Sequence, residues 1–221
     1  MKIAIDGPSG AGKSSLARAI ARELGIVYVD TGALYRTVGL FVRRANVDPK
    51  DAEGVIACLP QIDLKMTYEN GEQIIRLCGE PVGESIRTPE ISMCASAVSA
   101  IPAVRSFLLE TQRRIARETG VVMDGRDIGT VILPDAEVKI FLIASPEARA
   151  KRRTLELAAK GVKTTYEEVL ADMQERDKND STRAVAPAVP AEDAVMLDNS
   201  DLTPEGTLAR ALAIVREKLG A

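Results

Sequence analysis

Apolar and polar positions along this chain fall into a rhythm of short buried runs alternating with 3.6-residue stripes. Lys2 to Asp6 reads as a short buried strand, and the turn Gly7 to Gly12 leads into an apolar stripe through Leu16, Ala19, Ile20 and Leu24, which predicts a helix. Gly25 stops that helix. Ile26 to Val29 make a second strand, and Asp30-Thr31-Gly32 caps a helix carrying Tyr35, Arg36, Val38 and Val42. This β-α-β-α order predicts an α/β fold: a parallel sheet flanked by crossover helices.

The rhythm changes near residue 60. Two alternating runs, Ile62 to Tyr68 and Gln73 to Cys78, flank Asn70-Gly71, and this dipeptide predicts a tight hairpin. Helical runs follow at Pro89 to Ala100 and Pro102 to Glu118, and Gly120 to Asp124 returns to a buried strand that ends in a carboxylate. An insert over about 60–100 in one domain of 1–221 is the expected organisation. Val138 to Ala144 is the next buried strand. Ser145-Pro146 then starts a helix carrying Arg149, Lys151, Arg152 and Arg153, which ends at Lys160-Gly161. A further helix runs from about Thr165 to Arg176. A proline-rich connection spans Ala184 to Pro190, Ala194 to Leu197 makes a last strand, and Leu208, Leu212, Val215 and Leu219 line a final helix.

Composition removes several kinds of chemistry. The chain has 221 residues, 46% of them apolar, enough to bury a full core. It has no histidine, which excludes Ser-His-Asp catalysis and histidine metal ligation, so Lys, Arg, carboxylates or a metal must carry any reaction. Cys58, Cys78 and Cys94 are an odd, scattered set that fits neither a zinc site nor a disulfide framework. With 29 basic and 32 acidic residues the net charge is −3, so neither nucleic acid nor a membrane surface is an expected partner and any anion site must be local. No signal peptide or membrane span is read, a cytoplasmic location is expected, and a monomer is the default.

Gly7-Pro8-Ser9-Gly10-Ala11-Gly12-Lys13-Ser14 fits G-x-x-x-x-G-K-[ST] between a strand and a helix, the context that makes the pattern informative. Its amides, with Ser15 just behind, are expected to cradle the phosphates of ATP. Lys13 would bridge the β- and γ-phosphates and the Ser14 hydroxyl would face Mg2+. Asp124 ends a strand expected beside the first. It supports the magnesium, or it caps the next turn or only orients Arg126. Arg36, Arg105, Arg126, Arg152, Arg153, Arg176 and Arg183 are candidates for binding anions, and each has the alternative of a solvated surface residue. Asp127 and Asp180 either pair with these arginines or receive hydrogen bonds from a nucleoside.

Ile5 to Ser14, Asp30-Thr-Gly-Ala-Leu-Tyr-Arg36, Ile86-Arg-Thr88, Val122 to Thr130, Val138 to Leu142 and Arg176 to Arg183 together resemble the bacterial cytidylate kinases, within the nucleoside-monophosphate kinases, essentially end to end. The resemblance implies a P-loop core, an inserted acceptor-binding subdomain and a mobile lid at about 149–163. It also implies transfer of the γ-phosphoryl group of ATP to CMP, and to dCMP as well. By the same resemblance Thr31, Arg36 and Arg126 hold the acceptor phosphate, and Ser96, Arg105, Asp127 and Arg183 face the cytosine. Arg176 and Asp180 hold the ribose, while Arg152 and Arg153 close over the ATP phosphates. Two rivals stand beside it: a P-loop kinase for another small acceptor, and a P-loop switch, which the lack of an N-K-x-D motif disfavours.

Overall fold

The computed structural model describes residues 1–69 and 72–220. In chain order these form β1 (Lys2–Asp6), α1 (Lys13–Leu24), β2 (Val27–Asp30), α2 (Thr31–Arg44), α3 (Ala52–Cys58), β3 (Leu64–Glu69), β4 (Glu72–Leu77) and β5 (Glu80–Pro81). After them come α4 (Pro89–Ser99), α5 (Pro102–Glu118), β6 (Val121–Asp124), a π-helical turn at Ile128–Ile132 and β7 (Val138–Ile143). The chain closes with α6 (Pro146–Ala159), α7 (Tyr166–Thr182), β8 (Val195–Asp198) and α8 (Pro204–Leu219). These elements divide into two compact units, Met1–Ile26 with Val121–Ala221, and Val27–Gly120.

In the first unit four strands run parallel in the order β6-β1-β7-β8, with Ile3 opposite both Val122 and Val138. The apolar runs that marked these strands are what a parallel sheet covered on both faces requires, and Ile3, Ile5, Val122, Met123, Val138 and Leu142 are fully buried. The parallel order also brings the carboxyl ends of β1 and β6 side by side, with Ile5 opposite Asp124. The helix starts follow their caps. Ser145 accepts the Ala148 N–H with Pro146 at the first helical position, and Thr165 forms a capping box with Glu168. α7 continues past Arg176 to Thr182, so Arg176 and Asp180 share one helix a turn apart. In α8 the buried stripe is Thr207, Ala211 and Val215. Leu219, expected to line the helix, is exposed because it falls in the last turn.

The second unit is built on α2, whose Leu34, Val38 and Val42 are fully buried in a core shared with Val55, Leu77, Val98, Val104 and Leu108. α4 approaches α2 closely at Gly39, where a Cβ would stand 3.2 Å from the Ala95 backbone nitrogen. β3 and β4 pair antiparallel in the register a tight hairpin demands; the Asn70-Gly71 turn itself lies outside the described residues. β5 adds a short third strand. The hairpin and the rest of the segment expected as an insert fall inside this unit. Unforeseen was α3, a seven-residue helix started by the Asp51 side chain accepting the Gly54 N–H. It buries only Val55 and Cys58, too few positions for a stripe to show.

Among the described residues no single helix is long and apolar enough to cross a membrane. Leu34→Ala removes a fully buried side chain from the centre of the second unit. It should lower the unfolding free energy by about 2–5 kcal/mol, read as a shift of the urea midpoint.

Candidate active site

The glycine loop has the backbone that its sequence requires. Gly7, Gly10 and Gly12 all have positive φ, and at Gly7 a Cβ would lie 2.0 Å from the Leu142 carbonyl oxygen, so no other residue fits without moving β7. Gly12 ends the loop as the cap of α1, leaving the first amides of that helix for an anion. Lys13, the first helical residue, is buried, and its Nζ donates to the Pro8 carbonyl at 2.7 Å, which lays the ammonium across the loop. Burial, reinforced by repulsion from Arg126, holds its pKa well below the ordinary lysine value. A triphosphate in the loop would reverse that balance.

Carboxylates at the strand ends organise the surroundings. Ser14 Oγ donates to Asp124 Oδ2 at 2.8 Å. Asp6, at the end of β1, accepts the N–H groups of Ile128 and Gly129, each at 2.8 Å. It therefore ties the entry of the glycine loop to the segment that carries Arg126 and Asp127. Arg126 Nε donates to Asp180 Oδ2 at 2.8 Å, and Arg183 Nη2 reaches Asp127 Oδ1 at 3.5 Å. Burial works against the charge of Asp180, but Arg126 and Arg176 more than offset it and hold its pKa below the usual carboxylate value. Arg176 Nη1 donates to Ser9 Oγ at 3.2 Å.

The remaining expected residues of this unit have other partners. Arg152 donates to the carbonyls of Asn199 (2.6 Å) and Ser200 (3.1 Å), and Asn199 in turn donates to the Ala11 carbonyl at 3.0 Å. Arg153 pairs with Glu156 at 2.7 Å along α6.

In the second unit Asp30 caps α2, accepting the Ala33 N–H and, through Oδ2, Arg36 Nη2 at 2.8 Å. Thr31 is buried beside it at the first position of the helix. Gln73 of β4 holds the Asp30 backbone from both sides: its Oε1 accepts the Asp30 N–H at 2.7 Å and its Nε2 donates to the Asp30 carbonyl at 3.2 Å. Arg105 is buried, stacks over the Tyr35 ring at 5.5 Å and donates to the Ser99 carbonyl. Ser99 Oγ donates to the carbonyl of Ser96.

A sequence model described as Cytidylate kinase matches residues 3–217. The chain belongs to the cytidylate kinase family. Curated cytidylate kinases from Caldicellulosiruptor saccharolyticus (46% identical, covering 100% of this chain and 97% of the relative) and Fervidobacterium nodosum (49%, 98% and 97%) resemble it over their whole length. So does that of Mycobacterium leprae (47%, 99% and 97%). Among solved structures, a shikimate kinase from Bacteroides thetaiotaomicron superposes with a TM-score of 0.50 at 12% identity, covering 100% of this chain and 99% of its own. An uncharacterized protein from Eubacterium ventriosum superposes at 0.51 and 13%, with the same coverage. At such identity these two show the α/β fold alone.

For this cytidylate kinase family member the donor set suits a hard cation. Ser14 and Asp124 offer oxygen, and among the described residues no group of three or more acidic or cysteine side chains could hold a metal without phosphate and water. Sequence reasoning overlooked Asp6 as a site residue. It carried the same signal as Asp124, a buried strand ending in a carboxylate, but was absorbed into the strand. Asn199 and Gln73 gave no local signal, because each acts through a contact distant in sequence.

Burial pushes the Asp6 carboxyl up to about 6 from 3.8, outweighing the two backbone N–H groups that favour its charge. Between those values the folded protein holds a proton that the unfolded chain releases, so this contribution is present below about pH 4 and lost as pH rises through about 6. Relative to Asp6→Asn, the wild type should lose roughly 2 kcal/mol of unfolding free energy between about pH 4.5 and 7. Urea titrations at a series of pH values check this, and a flat difference would contradict it.

Proposed function

We propose that this chain transfers the γ-phosphoryl group of ATP to CMP, giving ADP and CDP, and that it accepts dCMP as well. The observation that carries the reading is the cluster around the glycine loop: Lys13 laid across it, Ser14 on Asp124, and Arg126 held by Asp180 close by. Family membership supports it over the full chain.

The donor binds with its phosphates on the loop amides from Gly7 to Ser15 and on Lys13. Ser14, with phosphate oxygens and water, would hold magnesium with support from Asp124, and the ion would supply charge neutralisation to the donor phosphates. Thr31, Arg36 and Arg126 bind the acceptor phosphate. Arg36 suits this role, because its Nη2 is anchored on Asp30 while its Nε is buried without a hydrogen-bond partner among the described residues. No general base is needed, since a monophosphate with a second pKa of about 6 already presents an anionic oxygen at neutral pH. Catalysis then rests on holding the two anions in line and on guanidinium groups that stabilise spreading charge without being deprotonated.

Base choice follows from donor and acceptor chemistry. Asp127, with Ser96, Arg105 and Arg183 around the base, accepts from the N4 amino group of cytosine, where uracil offers a carbonyl. Arg176 and Asp180 take the ribose. Arg152 and Arg153 exchange their present partners for ATP phosphates as the arm at about 149–163 closes and excludes water. No nucleic-acid or membrane partner enters this reaction, and a single copy of the chain suffices for it.

ADP formation with ATP and magnesium should be strongly stimulated by CMP and dCMP and weakly by UMP or AMP. A rate indifferent to acceptor would overturn the reading. Lys13→Ala should abolish turnover. Asp127→Ala should cost CMP at least about tenfold more in kcat/KM than it costs UMP, and equal losses would remove Asp127 from base recognition.

A further inference from the structure

Ser9, in the middle of the glycine loop, is gripped by a single ion pair. Arg149 Nη1 donates to the Ser9 carbonyl at 2.8 Å and to Asp177 Oδ2 at 2.5 Å, while Asp177 Oδ1 accepts the Ser9 N–H at 3.1 Å. Both backbone polar groups of one residue are thus satisfied by two side chains that pair with each other. The guanidinium cannot swing away freely, because its Nε donates to the Ala144 carbonyl at 3.0 Å and its side chain is only 4% exposed. Nothing in phosphate binding itself demands these residues, since the loop amides, Lys13 and Ser14 meet the donor.

The grip answers a physical difficulty of the loop. A stretch with three positive-φ glycines is permissive in the free state, and any freedom it keeps must be lost when a ligand binds, which weakens affinity. An ion pair whose guanidinium is buried and whose carboxylate is half-buried is a poor way to add stability, because desolvation offsets much of its attraction. A charge-assisted pair is, however, a good way to fix a geometry. Its partners also come from two helices. Arg149 lies one turn before Arg153 on α6, and Asp177 adjoins Arg176 on α7.

We propose that Arg149 and Asp177 are positioning residues for the donor nucleotide: by clasping Ser9 they hold the glycine loop in its phosphate-binding shape before ATP arrives. The inference rests on reading that loop as the ATP site. Asp177→Asn keeps an acceptor for the Ser9 N–H but loses the charge that orients Arg149. Arg149→Lys keeps the charge but lacks the planar fork that reaches Ser9, Asp177 and Ala144 together.

Each variant should raise KM for ATP, and Kd for a non-hydrolysable ATP analogue, by about tenfold, with KM for CMP changed less than about twofold. In the ligand-free variants, amide exchange over Gly7 to Gly12 should quicken while β1 and β7 keep their protection. Unchanged affinity for the analogue would overturn the proposal. So would parallel losses for ATP and CMP with faster exchange throughout, which would mark the pair as merely structural. The wild type gives a test free of any variant: without nucleotide the Ser9 amide should exchange as slowly as the strand amides of β1, and fast exchange there would refute the clasp. If the wild type bound no ATP analogue or ignored CMP, the proposed function would fail instead, whatever the exchange at Ser9.

Discussion

The buried charge of Lys13 is the constraint around which the first unit is arranged. An ammonium taken out of water is costly, and among the described residues no carboxylate pairs with it directly; it leans on the Pro8 carbonyl and on the nearby charges of Asp124 and Asp6. Pairing it fully with a carboxylate would have satisfied the fold and closed the site to phosphate. The arrangement instead leaves the charge under-compensated, so that an anion is the partner that completes it. For a chain with a net charge of −3, this is how attraction for a polyanion can exist without a basic surface.

The arginines follow a complementary rule. Arg36 on Asp30, Arg126 on Asp180, Arg149 on Asp177 and Arg183 on Asp127 each have a carboxylate at one edge of the guanidinium. A planar fork anchored at one edge keeps other N–H groups aimed in a fixed direction, which an unanchored side chain on a flexible stem cannot do. The acidic residues of these pairs therefore act as mounts. They also explain how an acidic chain can be an anion binder: part of its negative charge is spent on orienting the positive charge.

Much of this is legible in the amino-acid sequence. Strands buried on both faces read as unbroken apolar runs, so β1, β6 and β7 stood out, and the P-loop and the hairpin registered through glycine chemistry that few other sequences mimic. Candidate site residues were legible as types near strand ends. What could not be read was pairing across distance. Ser9 and Asp177 are 168 positions apart, and nothing local marks Asp177 off from any other acidic residue on a helix. Arg149 looked like one more basic residue of the arm, though it is buried against the loop. α3 escaped because seven residues with two buried positions carry no periodicity. The stripe on α8 was displaced because small residues, Thr207 and Ala211, take the inner face where leucines were anticipated.

Gln73 carries a consequence of another kind. A primary amide carries a donor and an acceptor side by side, so one side chain can bridge the N–H and C=O of one residue, and Gln73 does so from β4 to Asp30, the mount of Arg36. The hairpin is therefore not an exchangeable ornament. A chimera that grafts the corresponding loop from a distant relative would have to bring the amide with it in register. Otherwise the graft would unseat Arg36, an arginine six residues beyond Asp30 that it had left untouched.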